Sequence, residues 1–203
     1  MTADLMPLPA EQLLIDHLPT ELIVEVAADS DCATTCVISP GRGQSAIALS
    51  DVLGNHESLA QRKIVHRSLA WYVDLFAAAM ASQALNGESE EERVEVSCTA
   101  DLPDEPMMVV AVPILKRGEA EFNRDVLQQA HQRLIDGGLL VASVDNPQDH
   151  FLHDQMKAMF DKVTAVRTGT GCVYWGRKTQ ELRKFKDFRC QFAFRDEEQL
   201  IQV

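Results

Sequence analysis

No stretch of this chain approaches the run of about 20 apolar residues that a membrane-spanning helix needs. The N-terminus has neither a basic segment nor an apolar one after it, so no secretory signal is expected. The motif Gly-x-Ser-x-Gly of serine hydrolases is missing, and so is Gly-x-x-x-x-Gly-Lys-Ser/Thr of P-loop ATPases. Positive charge is scarce: 19 Lys and Arg stand against 31 Asp and Glu, a net charge of −12. A uniformly basic nucleic-acid surface is thereby excluded. The five cysteines (Cys32, Cys36, Cys98, Cys172, Cys190) are odd in number and scattered, which suits a reduced, cytoplasmic protein. Metal sites are poorly supported. Cys32 and Cys36 have no second pair, and His150 and His153 stand on a predicted helix without a third ligand nearby, so no metal is expected.

What is present begins with 203 residues, 46% of them apolar, enough for one domain with a real core. Leu13, Leu14 and Leu18 fall at helical spacing, and Pro19 ends that piece. Glu21–Val26 reads equally as strand or helix. A strand over Thr35–Ser39 leads into the turn Pro40-Gly41-Arg42-Gly43, and a helix follows to near Gly54. Strand, glycine turn and helix let a backbone approach a nucleotide-like ligand. Glycine serves there because it has no side chain to block the approach and tolerates positive φ. Arg42 in this turn is exposed, either as a contact for phosphate or carboxylate or as a solvated turn residue.

The next strand is either Ile64-Val65 or Leu69–Val73. A helix is expected over Asp74–Leu85, stopped by Asn86-Gly87, before the acidic loop Glu88–Glu92. Val94–Asp101 alternates as a strand does, and Met107–Val112 is a continuous apolar run suited to a strand buried on both faces. An unseen helix between Asp101 and Met107 is an open question. Asn123–Ile135 is an amphipathic helix broken by Asp136-Gly137-Gly138. Strand Leu139–Val144 and helix Gln148–Phe160 come next. Val163–Arg167 and Cys172–Arg177 are joined too closely for a crossover helix, so they form an antiparallel hairpin. This order predicts an α/β fold: a doubly wound, mostly parallel sheet ending in an antiparallel hairpin.

Two features stand beside that sheet. Between Arg177 and Arg189 six basic residues face two acidic ones, a local charge of +4 that leaves −16 for the rest. This segment, with Arg183, Lys184 and Lys186 at its centre, is either a contact for a polyanion such as RNA or a solvated linker face. Residues 180–203 hold two further strands, Arg189–Phe194 and Gln199–Val203, around a polar turn. The sequence stops inside an apolar run, so more chain is expected beyond Val203. The expected division is a domain over 1–179 and a linker with the start of a second domain over 180–203.

The order of elements resembles the class I S-adenosylmethionine-dependent methyltransferases. Two segments narrow the likeness to the N-terminal half of two-domain ribosomal RNA guanine-N2 methyltransferases. They are Val126 through Val141, with its Asp136-Gly137-Gly138 turn, and Phe192-Ala193-Phe194 through Val203, similar to the hairpin that opens the second, catalytic domain. The resemblance implies a Rossmann-like fold, S-adenosylmethionine as the family's cofactor, ribosomal RNA and a C-terminal catalytic domain as partners, and no membrane. It also implies cofactor-binding positions at Ser39, Gly41, Gly43 and Asp74.

The departures from the family pattern matter as much. Where active members carry an acid at the end of the first strand, this chain has Val37 or Ser39, and one of three glycines is missing. Where base-modifying members carry Asn/Asp-Pro-Pro-aromatic, this chain has Ala111-Val112-Pro113-Ile114, with nothing polar to orient an attacking nitrogen. Asp74 either binds ribose hydroxyls or caps a helix. Trp71-Tyr72 either stacks a base or lies in the core. The expectation is therefore a catalytically degenerate domain, with no catalytic residue of its own. It would support a catalytic domain and help position RNA. A small active methyltransferase using Gly41, Gly43 and Asp74, and a non-catalytic scaffold holding RNA or protein through 177–189, are the alternatives.

Overall fold

The computed structural model describes residues 6–32, 34–54, 56, 59, 66–85, 94–188, 193–196 and 199–202. The alternative strand at Ile64-Val65, the stop at Asn86-Gly87, the loop Glu88–Glu92 and the flanks of the last two strands lie outside them.

Two helices come first, α1 (Pro9–Asp16) and α2 (Thr20–Asp29), followed by β1 (Thr34–Ile38) and α3 (Gln44–Gly54). Then come β2 (Arg67–Tyr72), α4 (Leu75–Leu85), β3 (Val94–Cys98), β4 (Met107–Ile114), α5 (Ala120–Arg133) and β5 (Leu134–Val144). The chain closes with α6 (Phe151–Met159), the hairpin β6 (Val163–Arg167) and β7 (Cys172–Arg177), and the small pair β8 (Ala193–Asp196) and β9 (Gln199–Gln202). Proline at the first position of α1 suits a helix start, because its missing N–H has no partner to lose there. Glu21–Val26 resolves to helix within α2. Residues 99–106 hold no helix.

Seven strands form one sheet in the order β3-β2-β1-β4-β5-β7-β6. The pairs from β3 to β5 are parallel, and β7 runs antiparallel to both β5 and β6. The mostly parallel sheet with its reversed hairpin thus has the form read from the sequence. β4 is buried along its whole length, as a central strand covered on both faces must be. Its alternation slips at one place: Met107 and Val110 face one core, Met108 and Val109 the other. A register shift against β5 between Met107 and Val109 accounts for the slip.

Helices α5 and α6 cover one face of the sheet, over a core that includes Trp71, Val110, Leu127 and Met156. α1 to α4 cover the other, over Leu14, Leu49, Tyr72 and Val141. Asp136-Gly137-Gly138 is part of β5 rather than a break before it. The Gly137 amide donates to the Lys178 carbonyl and the Lys178 amide to the Gly138 carbonyl, which draws the strand back to Leu134. Gly137 takes φ +80° there, the left-handed region that glycine enters at no steric cost.

Candidate functional site

In an open α/β sheet the ligand crevice lies beyond the carboxyl ends of the strands, where the strand order reverses. Here that point is the gap between β1 and β4, since the chain winds outward from β1 to β3 and returns to β4. A cavity of about 210 Å³ opens there. Its walls are mainly apolar: Ile38, Trp71, Val112, Pro113, Ile114 and Phe122. Its polar groups are Ser39, Asp74, Glu119 and Asn123.

Each strand end delivers its part. β1 leads into Ser39, whose amide donates to the Trp71 carbonyl at 3.1 Å, so the turn starts from a fixed point. β2 delivers Trp71 and Tyr72, which point to opposite faces and sit in the two cores. The Trp71 indole N–H donates to Thr99 Oγ1 at 2.9 Å. The pair is core first, although both residues also touch the cavity. Burial pushes the Tyr72 phenol up to about 12, so its hydroxyl keeps its proton. Asp74 follows β2, is exposed, and accepts from the Ala77 amide at 2.7 Å, capping α4. It lies on the cavity wall as well, so both roles read for it meet at one carboxylate. β4 ends in Val112-Pro113-Ile114 and brings no polar side chain.

The glycine turn holds what the sequence did not reveal. Glu11, from the first turn of α1, is completely buried there. Ser39 Oγ donates to its Oε1 at 2.8 Å, and Ser45 Oγ donates to the same oxygen at 3.4 Å. Its Oε2 accepts from the Leu8 amide at 3.3 Å, which also caps α1. Burial holds the Glu11 carboxyl above the usual carboxylate range, against the pull of these three hydrogen bonds.

The two glycines serve different ends. A Cβ on Gly41 would collide with Glu11 Oε2, so residue 41 is bare because the carboxylate of α1 lies against it. Gly43 takes φ +88°, and its carbonyl accepts from the Ala46 and Ile47 amides to start α3. Ser39, Gly41, Gly43 and Asp74 thus gather at one end of the sheet, with Ser39 and Gly41 in contact with Glu11. The one local signal for Glu11 is Pro9-Ala10-Glu11, a helix start with an acid in its first turn.

The donor of a class I methyltransferase needs an open glycine turn and polar groups at the strand ends. The residues present fit it poorly, because the turn is filled from within and the end of β4 is apolar.

The basic segment runs along α5. The Lys186 amide donates to Gln128 Oε1 at 2.9 Å, and Gln128 Nε2 donates to the Lys186 carbonyl at 3.0 Å. Lys186 Nζ pairs with Glu121 at 3.1 Å and sits over the Phe188 ring; Arg183 lies 3.6 Å from Asp161. Lys184 is exposed. Such surface pairs are weak and leave the cations available to another anion. His153 packs on Tyr174, with ring centroids 5.6 Å apart. Among the described residues no cluster of three or more His, Cys, Asp or Glu is placed to hold a metal ion, and no helix is long and apolar enough to cross a membrane.

No family model matches the chain, and no curated protein matches it in sequence. Solved structures do match. One is the 16S rRNA N2 methyltransferase RsmC of T. thermophilus, determined with AdoMet and guanosine: TM-score 0.60, 14% identity, covering 96% of this chain and 45% of that one. The chain thus spans less than half the length of that enzyme. An rRNA methylase of Streptococcus thermophilus matches at TM-score 0.56 and 16% identity, over 81% of this chain and 96% of its own. A SAM-dependent O-methyltransferase of Thermotoga maritima matches at TM-score 0.57 and 11% identity, over 89% and 74%. At these identities the likeness is one of fold: the chain has the Rossmann-like fold of class I methyltransferases.

Proposed function

We propose that this chain is a methyltransferase-fold domain that no longer binds the methyl donor. In this reading it serves a SAM-dependent rRNA guanine-N2 methyltransferase as its N-terminal, non-catalytic domain. It braces a C-terminal catalytic domain, which begins within 180–203, and helps position ribosomal RNA. The observation that carries the reading is Glu11, buried in the glycine turn where a donor would need access. The apolar end of β4 agrees with it, since nothing there orients an attacking amine. Calorimetric titration of S-adenosylmethionine into the chain should give no binding heat. A micromolar dissociation constant would overturn the proposal. It would favour the small active enzyme instead, with Asp74 on the ribose and Gly41 and Gly43 beneath the donor.

RNA contact is assigned to Arg183, Lys184 and Lys186, whose cations are surface-exposed. Replacing all three by Glu should weaken binding of an rRNA fragment by about tenfold or more at low salt. The loss should shrink as salt rises, because released counterions drive such contacts. Equal affinity before and after the change would remove RNA from this segment.

A further inference from the structure

Glu11 does more than break a donor site; the surroundings of its carboxylate have the form of a seat. Three donors converge on it: the Ser39 hydroxyl, the Ser45 hydroxyl and the Leu8 amide. Both serines are buried, Ser39 at 6% exposure and Ser45 at 0%. Gly41 supplies a bare Cα that lets the oxygen lie against the backbone. None of the three donors carries charge, so an ionised carboxylate is held there without a neutralising partner, a costly arrangement.

The seat does not end at Glu11. A second cavity of about 270 Å³ adjoins it, with Glu11, Arg42 and Gln44 as polar lining. Leu8, Phe76 and Met80 supply apolar wall, and Met6 and Phe76 stand exposed at 84% and 75%. An acceptor seat thus opens onto an apolar chamber with Arg42 on its wall. That combination suits a small ligand with a carboxylate at one end and an apolar tail at the other.

We infer that Glu11 is an internal ligand: its side chain fills a carboxylate seat and holds closed a site for a small carboxylate with an apolar tail. The inference rests on the reading of the glycine turn as shut to the methyl donor. The bulk of α1 need not move for the site to open. α1 is anchored elsewhere, through the Ala10 carbonyl accepting from Ser143 Oγ at 2.6 Å, and only the Glu11 side chain has to leave.

Thermal unfolding of the wild type, Glu11→Ala and Glu11→Gln with added pentanoate tests this. Acetate, 1-pentanol and sodium chloride at matched concentration are the controls. Pentanoate should raise the Tm of Glu11→Ala by about 3 °C or more, acetate by less, and pentanol and chloride not at all. The wild type and Glu11→Gln, whose seats stay filled, should not respond. Equal responses in all three proteins, or none in Glu11→Ala, would overturn the inference. Should Glu11→Ala not fold, Glu11→Ser takes its place, since it empties the seat without leaving a carboxylate beside it. Donor binding by the wild type would sink the reading of the domain. A silent pentanoate titration of the variant would sink only the internal ligand.

Discussion

A carboxyl group buried among hydroxyls makes stability depend on pH in a definite direction. Glu11 holds its proton more tightly in the folded chain than its ordinary value of 4.5. The protonated form therefore favours folding. That contribution is fully present below about 4.5 and is lost as pH rises through the elevated folded value. Wherever it is ionised, the group is a burden on the fold. Glu11→Gln keeps the shape and an acceptor for Ser39 and Ser45 while removing the charge, at the loss of the weaker acceptor for the Leu8 amide. It should raise Tm by a few degrees at pH 7 to 8, with the gap from wild type closing toward about pH 4. Unfolding curves across that range would check it; a gap independent of pH would contradict the account. This residue was invisible to sequence reasoning for a physical reason. Its partners lie 28 and 34 positions away, across a helix, a strand and a turn. Asp74 was legible because its partner, the Ala77 amide, is three residues on.

Among the elements, the strands and helices set by their own periodicity were readable. β6 and β7 run from Val163 to Arg167 and from Cys172 to Arg177, as the two β-rich runs and the short link between them required. The fully apolar β4 declared itself in the same way. Elements that depend on distant partners were misjudged at their limits. β5 begins five residues before Leu139 because Lys178 pairs across Gly137 and Gly138. Helix α5 accordingly stops at Arg133, two residues short of Ile135. The tail after β7 is held in the same non-local manner, by the paired hydrogen bonds between the Gln128 amide and the Lys186 backbone. Removing that clasp with Gln128→Ala should cost about 1 kcal/mol at most and speed hydrogen exchange at the Lys186 amide. Unchanged exchange there would mean that the tail is secured by other contacts.

Across the whole molecule, a net charge of −12 goes with a basic tail that stands apart from the sheet. The strand ends gather at one edge, while the basic tail is laid along α5. The sheet order gives the first helix an unusual dependence. Its Ala10 carbonyl is bonded by Ser143, 133 residues later in the chain, and it packs against β5 and β4. A nascent chain leaves the ribosome at roughly 5–20 residues per second, so α1 waits on the order of 10 s for its berth. Arresting translation before Leu139 should leave the Leu13-Leu14 stretch open to protease, and release past Arg177 should protect it. Early protection would mean that α1 docks on α3 alone. Until β5 and β7 emerge, this early segment is thus among the last secured, and its apolar stripe is exposed to whatever the growing polypeptide meets.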